Sequence, residues 1–281
     1  MSPEPPLACD LPRDFANALA GRADRLRGFA SPVVWYDTVS STNDLADRAA
    51  MAGASHGTVV AADCQESGRG RMGHAWHSPP GTGLYVSAVL RPADIGVAGG
   101  RESVAAASWI TLTAGVACAE AVRRATGLPA AIKWPNDLVV GPRKVCGILA
   151  EAASSGAQLR YVILGFGINV LAAPYPPEIA ERATSIEAEL GRSVDRAEVF
   201  AESLACLAER LRQLSSGGFE AMLDAWRALS PSSAGARVEI VAPGGWVEAV
   251  TAGVDRDGAL LAKTGGAVRR VVAGEVRWAG R

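Results

Sequence analysis

Residues 66–83 are ESGRGRMGHAWHSPPGTG, and how they are read decides the fold. Gly68, Gly70 and Gly73 satisfy G-x-G-x-x-G, the spacing of a dinucleotide-binding turn in a doubly wound parallel sheet. Such a turn must follow a strand and open a helix, because the phosphates rest on the helix N-terminus. A strand signal does precede it, TVVAADC. No helix can follow, because Pro79-Pro80-Gly81 comes within roughly two turns of Gly73. A Walker loop is excluded too, since no Gly-Lys-Ser/Thr follows. What is left is a glycine loop with Arg69 and Arg71 at alternate positions. Glycines let backbone N–H groups approach an anion closely, and guanidinium groups suit phosphate or carboxylate.

Outward from the loop, strand and helix signals alternate. Strands are expected at 33–36, 57–65, 83–92 and 159–170, with two more across 130–152 joined by a turn at Gly141-Pro142. A helix is expected over 41–53, opened by Ser41 and Asp44 as a capping box and stopped by Gly53. Further helices are expected over 102–126, 195–214 and 219–229, and a short one over 13–26. In 195–214, Phe200, Leu204, Leu207, Leu211 and Leu214 recur at helical spacing and form one apolar stripe. After residue 230 only short strand-like runs remain, separated by turns such as Asp257-Gly258, so a small all-β module is expected there. Alternation alone leaves a parallel α/β sheet open.

The bulk numbers narrow the class. A chain of 281 residues, 49% hydrophobic and 20% charged, can bury a substantial core. A formal net charge of −1 gives no basic footprint for nucleic acid. Five cysteines without a C-x-x-C pair suit a reducing compartment better than a disulfide framework or a zinc site. No basic start followed by an apolar stretch marks an export signal, so a cytoplasmic protein is expected. The uncharged run 103–119 is short for a membrane span and rich in small residues, which suits a buried helix.

Three further segments share the character of the loop. KWPND (133–137) sets a cation, an aromatic ring, an amide and an acid at a strand end. RKVCGILAE (143–151) places Lys144 just after a turn, with Gly147 permitting close approach. GFGINV (165–170) closes a strand with a glycine pair and Asn169. Singly, each also suits a turn, an exposed lysine or a packing glycine. Together with SSTND (40–44) and the G-R-G-R-x-G-x-x-W of 68–76, in this order, they resemble the biotin protein ligase family. The resemblance runs from about residue 31 to the end of the chain.

That resemblance implies an α+β fold: a mixed, largely antiparallel sheet flanked by helices, class II synthetase-like, plus a small C-terminal SH3-like β-barrel. It divides the chain into an N-terminal extension (1–30), a catalytic domain (31–230) and the terminal module (231–281). Some thirty leading residues are too few for a DNA-binding domain, so a monofunctional ligase that binds no nucleic acid and no membrane is expected. The implied reaction joins biotin to ATP as biotinyl-5′-AMP, then passes biotin to a lysine of a biotin carboxyl carrier protein or domain, as in acetyl-CoA carboxylase. Mg²⁺ is expected with ATP, with no metal site of the protein's own, and a homodimer fits the family.

Carried over residue by residue, the catalytic set is Lys144, Arg71 and Asp137. Biotin falls to Ser41, Thr42, Asn43, Gln65, Gly68, Arg69, Arg71, Lys144 and Gly147. The adenylate falls to Gly70, Gly73, Trp76, Lys133, Asn136 and Asn169. The ureido ring of biotin offers two N–H donors and one carbonyl, which hydroxyls, an amide and loop N–H groups can match. Two anions must meet in the first step, so fixed cations are required. The loop departs from the family at Met72 and His74, where many members carry basic residues, so its permanent charge is smaller. Three rival readings are a lipoate ligase, a biotin-responsive regulator and an idle binding protein.

Overall fold

The computed structural model describes residues 7–95, 103–156, 158–242, 245–272 and 276–278. Among these residues, seven strands form the main sheet: β1 (Val33–Val39), β2 (Val59–Gln65), β3 (Gly83–Leu90), β4 (Ala131–Lys133), β5 (Asp137–Val140), β6 (Arg143–Ser155) and β7 (Gln158–Asn169). Their order is β1-β2-β3-β7-β6-β5-β4. Only β1 and β2 run parallel; every other neighbouring pair in this sheet is antiparallel. The mixed, largely antiparallel expectation holds, and the parallel α/β alternative does not. Strand β3 is buried at every position, which accounts for its nearly unbroken apolar sequence GLYVSAVL.

Among the described residues, eight α-helices accompany the sheets: α1 (Arg13–Ala20), α2 (Ala23–Leu26), α3 (Thr42–Met51), α4 (Ser103–Thr126), α5 (Pro177–Ala180), α6 (Ile186–Leu190), α7 (Arg196–Ser215) and α8 (Phe219–Leu229). Residue 102, expected at the start of α4, lies outside the described residues. Helices α4, α7 and α8 share one core with the sheet, and all five residues of the expected α7 stripe are buried in it. The apolar run feeding α4 is core as well: Trp109, Ile110, Val116 and Val122 are buried. On the other face α3 covers only part of the sheet, packing Leu45, Ala46 and Ala50 onto Val60, Val89 and Ile163. The rest of that face stays open.

Two expectations are corrected here. The single helix over 13–26 is two, parted at Gly21. Both dock on α7, where Arg22 and Arg25 reach Glu202 at 2.9 and 2.7 Å and Phe15 packs on Phe200. The stretch 130–152 holds three strands, not two, because the Trp134-Pro135-Asn136 turn splits off β4.

Among the described residues a second sheet of five antiparallel strands follows: β8 (Ala234–Ala242), β9 (Gly245–Val254), β10 (Leu260–Thr264), β11 (Ala267–Val271) and β12 (Val276–Trp278). Its order is β11-β10-β9-β8-β12, around a small core of Val238, Ile240, Ala249 and Ala262. The Asp257-Gly258 turn is present, with Gly258 at φ 82°. Asp255 secures it by accepting from the N–H groups of Asp257 and Ala259.

Candidate active site

The open part of the sheet face forms a cleft of 860 Å³. Its rim is the Gly-Arg loop, the KWPND turn, the segment 175–183 and strand β12. Every candidate residue named from the sequence lines it except Gly68 and Gly73. Those two act on the backbone. A Cβ on Gly68 would come within 2.6 Å of the Trp76 carbonyl, so only glycine lets the loop fold back there. Gly73 sits at φ 76°, in the left-handed region, just after Met72 at φ 55°. Met72 bears that conformation without glycine's freedom, with its side chain exposed.

The floor of the cleft is polar and buried. Helix α3 starts at Ser41 as expected, but no capping box forms, and Ser41 makes no side-chain cap bond. Instead the Thr42 N–H donates to Gln65 Oε1 at 2.9 Å, and the Thr42 hydroxyl donates to the same oxygen at 3.1 Å. Gln65 Nε2 in turn donates to Ser78 Oγ at 3.0 Å, and Ser78 donates to the Trp76 carbonyl. Asp44, expected to cap, accepts from Arg69. Asn43 donates to Glu151 Oε2 at 2.6 Å and accepts from Ser87 Oγ at 2.6 Å. Gly165 makes this placement possible, since a Cβ there would run into the Asn43 amide.

Charge is distributed unequally. Arg69 is held at the rim by Asp44 (2.6 Å) and Glu151 (3.1 Å), so its guanidinium is already paired. Lys144 Nζ meets Asp137 Oδ1 at 2.6 Å and lies over the Trp76 ring, 5.2 Å from its centre. Arg71 contacts Asn136 Oδ1 at 3.4 Å. Burial lowers its pKa, with the charge of Asp137 opposing. An arginine remains cationic even so. The centre of the cleft therefore carries two cations against one carboxylate, a field that suits incoming anions.

Trp76 lies against Gly147 and Gly167, where a Cβ on either would meet its indole ring. Gly167 of GFGINV and Gly147 of RKVCGILAE thus make room for one cleft residue, and Gly165 makes room for another, Asn43. The Trp76 Nε1–H is buried without a hydrogen-bond partner, a state that costs about 1–3 kcal/mol. Asn136 ties the KWPND turn to β6, donating to the Ile148 carbonyl at 2.7 Å. Asn169 donates to the Thr184 carbonyl at 2.9 Å. Trp134 Nε1 donates to the Gly258 carbonyl at 3.1 Å, and Lys133 lies over the Trp278 ring. Both bind the turn to the second sheet.

Sequence reasoning missed Ser78, Ser87, Asp44 and Glu151. Ser87 carried a signal, being the one polar side chain in the apolar strand GLYVSAVL apart from the tyrosine hydroxyl. Glu151 carried one as the acid that ends RKVCGILAE. Trp278 had none, because its position depends on how β12 pairs with β8.

Residues 35–169 match the biotin/lipoate A/B protein ligase family. The chain is 33% identical over 262 residues to the biotin–[acetyl-CoA-carboxylase] ligase of Mycobacterium tuberculosis, covering 90% of this chain and 92% of that protein. It is also 33% identical over 246 residues to the bifunctional ligase/repressor BirA of Bacillus subtilis, covering 87% of this chain and 73% of that one. Among solved structures, the biotin protein ligase of Aquifex aeolicus in complex with biotin and ATP superposes with a TM-score of 0.74 at 29% identity. That match covers 88% of this chain and 97% of the other.

Proposed function

The chain belongs to the biotin/lipoate A/B protein ligase family, and from that premise we propose how its cleft carries out the reaction. The protein is an ATP-dependent biotin protein ligase. It makes biotinyl-5′-AMP from biotin and ATP, then transfers biotin to a lysine of a biotin carboxyl carrier domain.

The observation that carries the residue roles is the juxtaposition of Arg71 and Lys144 above the polar floor. Biotin seats its ureido ring on the floor around Thr42 and Gln65, with Ser41, Asn43 and the Gly68–Arg69 backbone beside it. Its carboxylate then faces Lys144. ATP brings a second anion to the same place, and Lys144 and Arg71 offset the charge as the carboxylate oxygen attacks the α-phosphorus. Pyrophosphate leaves. Lys144 exchanges its pairing with Asp137 for the reacting oxygens, which needs only a side-chain rotation. Trp76, Asn136, Asn169 and Lys133 border the nucleotide, with Gly70 and Gly73 shaping the loop over it.

In the second step the carrier lysine amine attacks the carbonyl carbon of the anhydride, the C–N bond forms and AMP departs. Asp137, freed from Lys144, is placed to hold the incoming amine. Mg²⁺ bound to the triphosphate of ATP would supply charge neutralisation there; among the described residues no group of three His, Cys, Asp or Glu is placed to hold a metal. The carrier belongs to acetyl-CoA carboxylase or a related carboxylase. The boundary near residue 231 is supported by the separate hydrogen bonding of the two sheets, whereas residues 13–26 of the N-terminal extension pack onto α7 of the catalytic domain. The test is mass spectrometry of a carrier domain incubated with the enzyme, biotin and MgATP. One biotinyl increment on one lysine is expected, and an unmodified carrier overturns the assignment.

A further inference from the structure

Lys144 reaches the cleft through an irregularity of its own strand. Along a regular strand, residues three apart point to opposite faces of the sheet. Lys144 and Gly147 are three apart, yet both line the cleft. They lie so close that a Cβ on Gly147 would meet Lys144 Nζ at 3.1 Å. The pairing of β5 with β6 accounts for this. Val139 faces Lys144 and Leu138 faces Cys146, so Val145 is the extra residue of a β-bulge. A bulge disrupts the ladder where it sits. Strand β7 gives no support there, because its pairing with β6 stops at Ile168 and Cys146. Both backbone polar groups of Lys144 turn instead to the segment 182–184. The Lys144 N–H donates to the Arg182 carbonyl at 2.7 Å, and the Lys144 carbonyl accepts from the Thr184 N–H at 2.9 Å.

One carboxylate ties that segment back to the strand. Glu189 Oε1, on α6, accepts from the Thr184 hydroxyl at 2.6 Å and from the Arg143 guanidinium at 2.7 Å. A closed ring results. Arg143 leads covalently into Lys144, Lys144 is bonded to Thr184, and Thr184 and Arg143 meet on Glu189. Thr184 is buried and the Glu189 side chain is 12% exposed, so water competes little for the shared oxygen. We propose that Glu189 is a positioning residue for Lys144: it holds the backbone clamp at the bulge and so aims the ammonium at the reacting oxygens. Glu189 does not line the cleft and acts only through Lys144. The inference rests on the reading of Lys144 as the cation of the adenylation step.

The test is single-turnover formation of biotinyl-5′-AMP at saturating biotin and MgATP, in Glu189→Ala, Glu189→Gln and Thr184→Val, each with and without Lys144→Met. The amplitude reports how much enzyme is folded and competent, and the rate constant reports positioning. Glu189→Ala is expected to lower the rate constant about 10- to 100-fold with the amplitude unchanged, since a misplacement on the order of 1 Å can cost that much. Glu189→Gln keeps an oxygen that accepts from both donors and is expected to recover most of the rate. Thr184→Val removes one of those donors at nearly constant shape and is expected to slow the step as well. With Lys144→Met in place, Glu189→Ala is expected to change the rate by less than about twofold, because residues that act as a unit are not additive. The proposal is overturned by a rate constant within about twofold of the intact enzyme in Glu189→Ala, by an equal loss with Lys144→Met in place, or by a fall in amplitude alone. If Glu189→Ala does not fold, Thr184→Val is read by the same criteria. A full rate in Lys144→Met by itself would instead overturn the underlying reading of Lys144.

Discussion

At the scale of residues, Lys144 and Trp76 carry most of the account. Lys144 sits between an acid and an aromatic face, which holds the ammonium in place without burying it. Lys144→Met keeps the stem and removes the charge; adenylation is expected to fall about 100- to 1,000-fold, measured by single-turnover formation of the adenylate. A loss under tenfold would remove Lys144 from the centre of the reaction. Gly167→Ala tests the saddle under Trp76, because the added methyl would displace the indole from its seat. Denaturant unfolding is expected to show a loss of about 1–3 kcal/mol, accompanied by a shift in tryptophan emission. The identities of these residues were legible in the motifs, but their partners were not. Gly167 stood out as a glycine; that it makes room for Trp76, 91 positions earlier in the chain, is set only by the pairing of β3, β7 and β6.

At the scale of elements, the clasp between the N-terminal helices and α7 gives a pH-dependent contribution to stability. Glu202 is 5% exposed and bonded to Arg22 and Arg25. Burial pushes its pKa up, but the two arginine hydrogen bonds outweigh that and hold it at about 2, below its ordinary 4.5. The folded pKa lies below the unfolded one, so the contribution is present above about 4.5 and is lost as pH falls toward 2. It is on the order of 3 kcal/mol. Glu202→Gln is expected to flatten the acid limb of stability over that window; a profile parallel to wild type would contradict this. The α7 stripe was legible because its period is helical and local. The clasp was not, since residues 22 and 202 are joined only by tertiary packing. The α3 cap misled for a related reason: Ser41-x-x-Asp44 fits a local rule, but Gln65 from elsewhere receives the Thr42 N–H and Arg69 engages Asp44.

At the scale of the whole molecule, the two sheets meet at the KWPND turn. Trp134→Phe keeps an aromatic side chain, smaller by the pyrrole ring, and deletes the donor to Gly258, leaving that carbonyl without it. Thermal unfolding is expected to show a loss of about 1–3 kcal/mol, whereas an unchanged midpoint would mean the contact carries no load between the sheets. The architecture was legible from motif order, because the glycine-arginine loop with prolines behind it cannot open a Rossmann helix. Strand order was not, since alternating strands and helices admit a parallel sheet equally well. The cleft activates biotin as an adenylate, and ATP–pyrophosphate exchange tests that activation most directly. With biotin as the only added acid, exchange is expected in the intact enzyme and is expected to collapse in Lys144→Met. Exchange supported by lipoate and not by biotin, or by neither acid, would contradict the account.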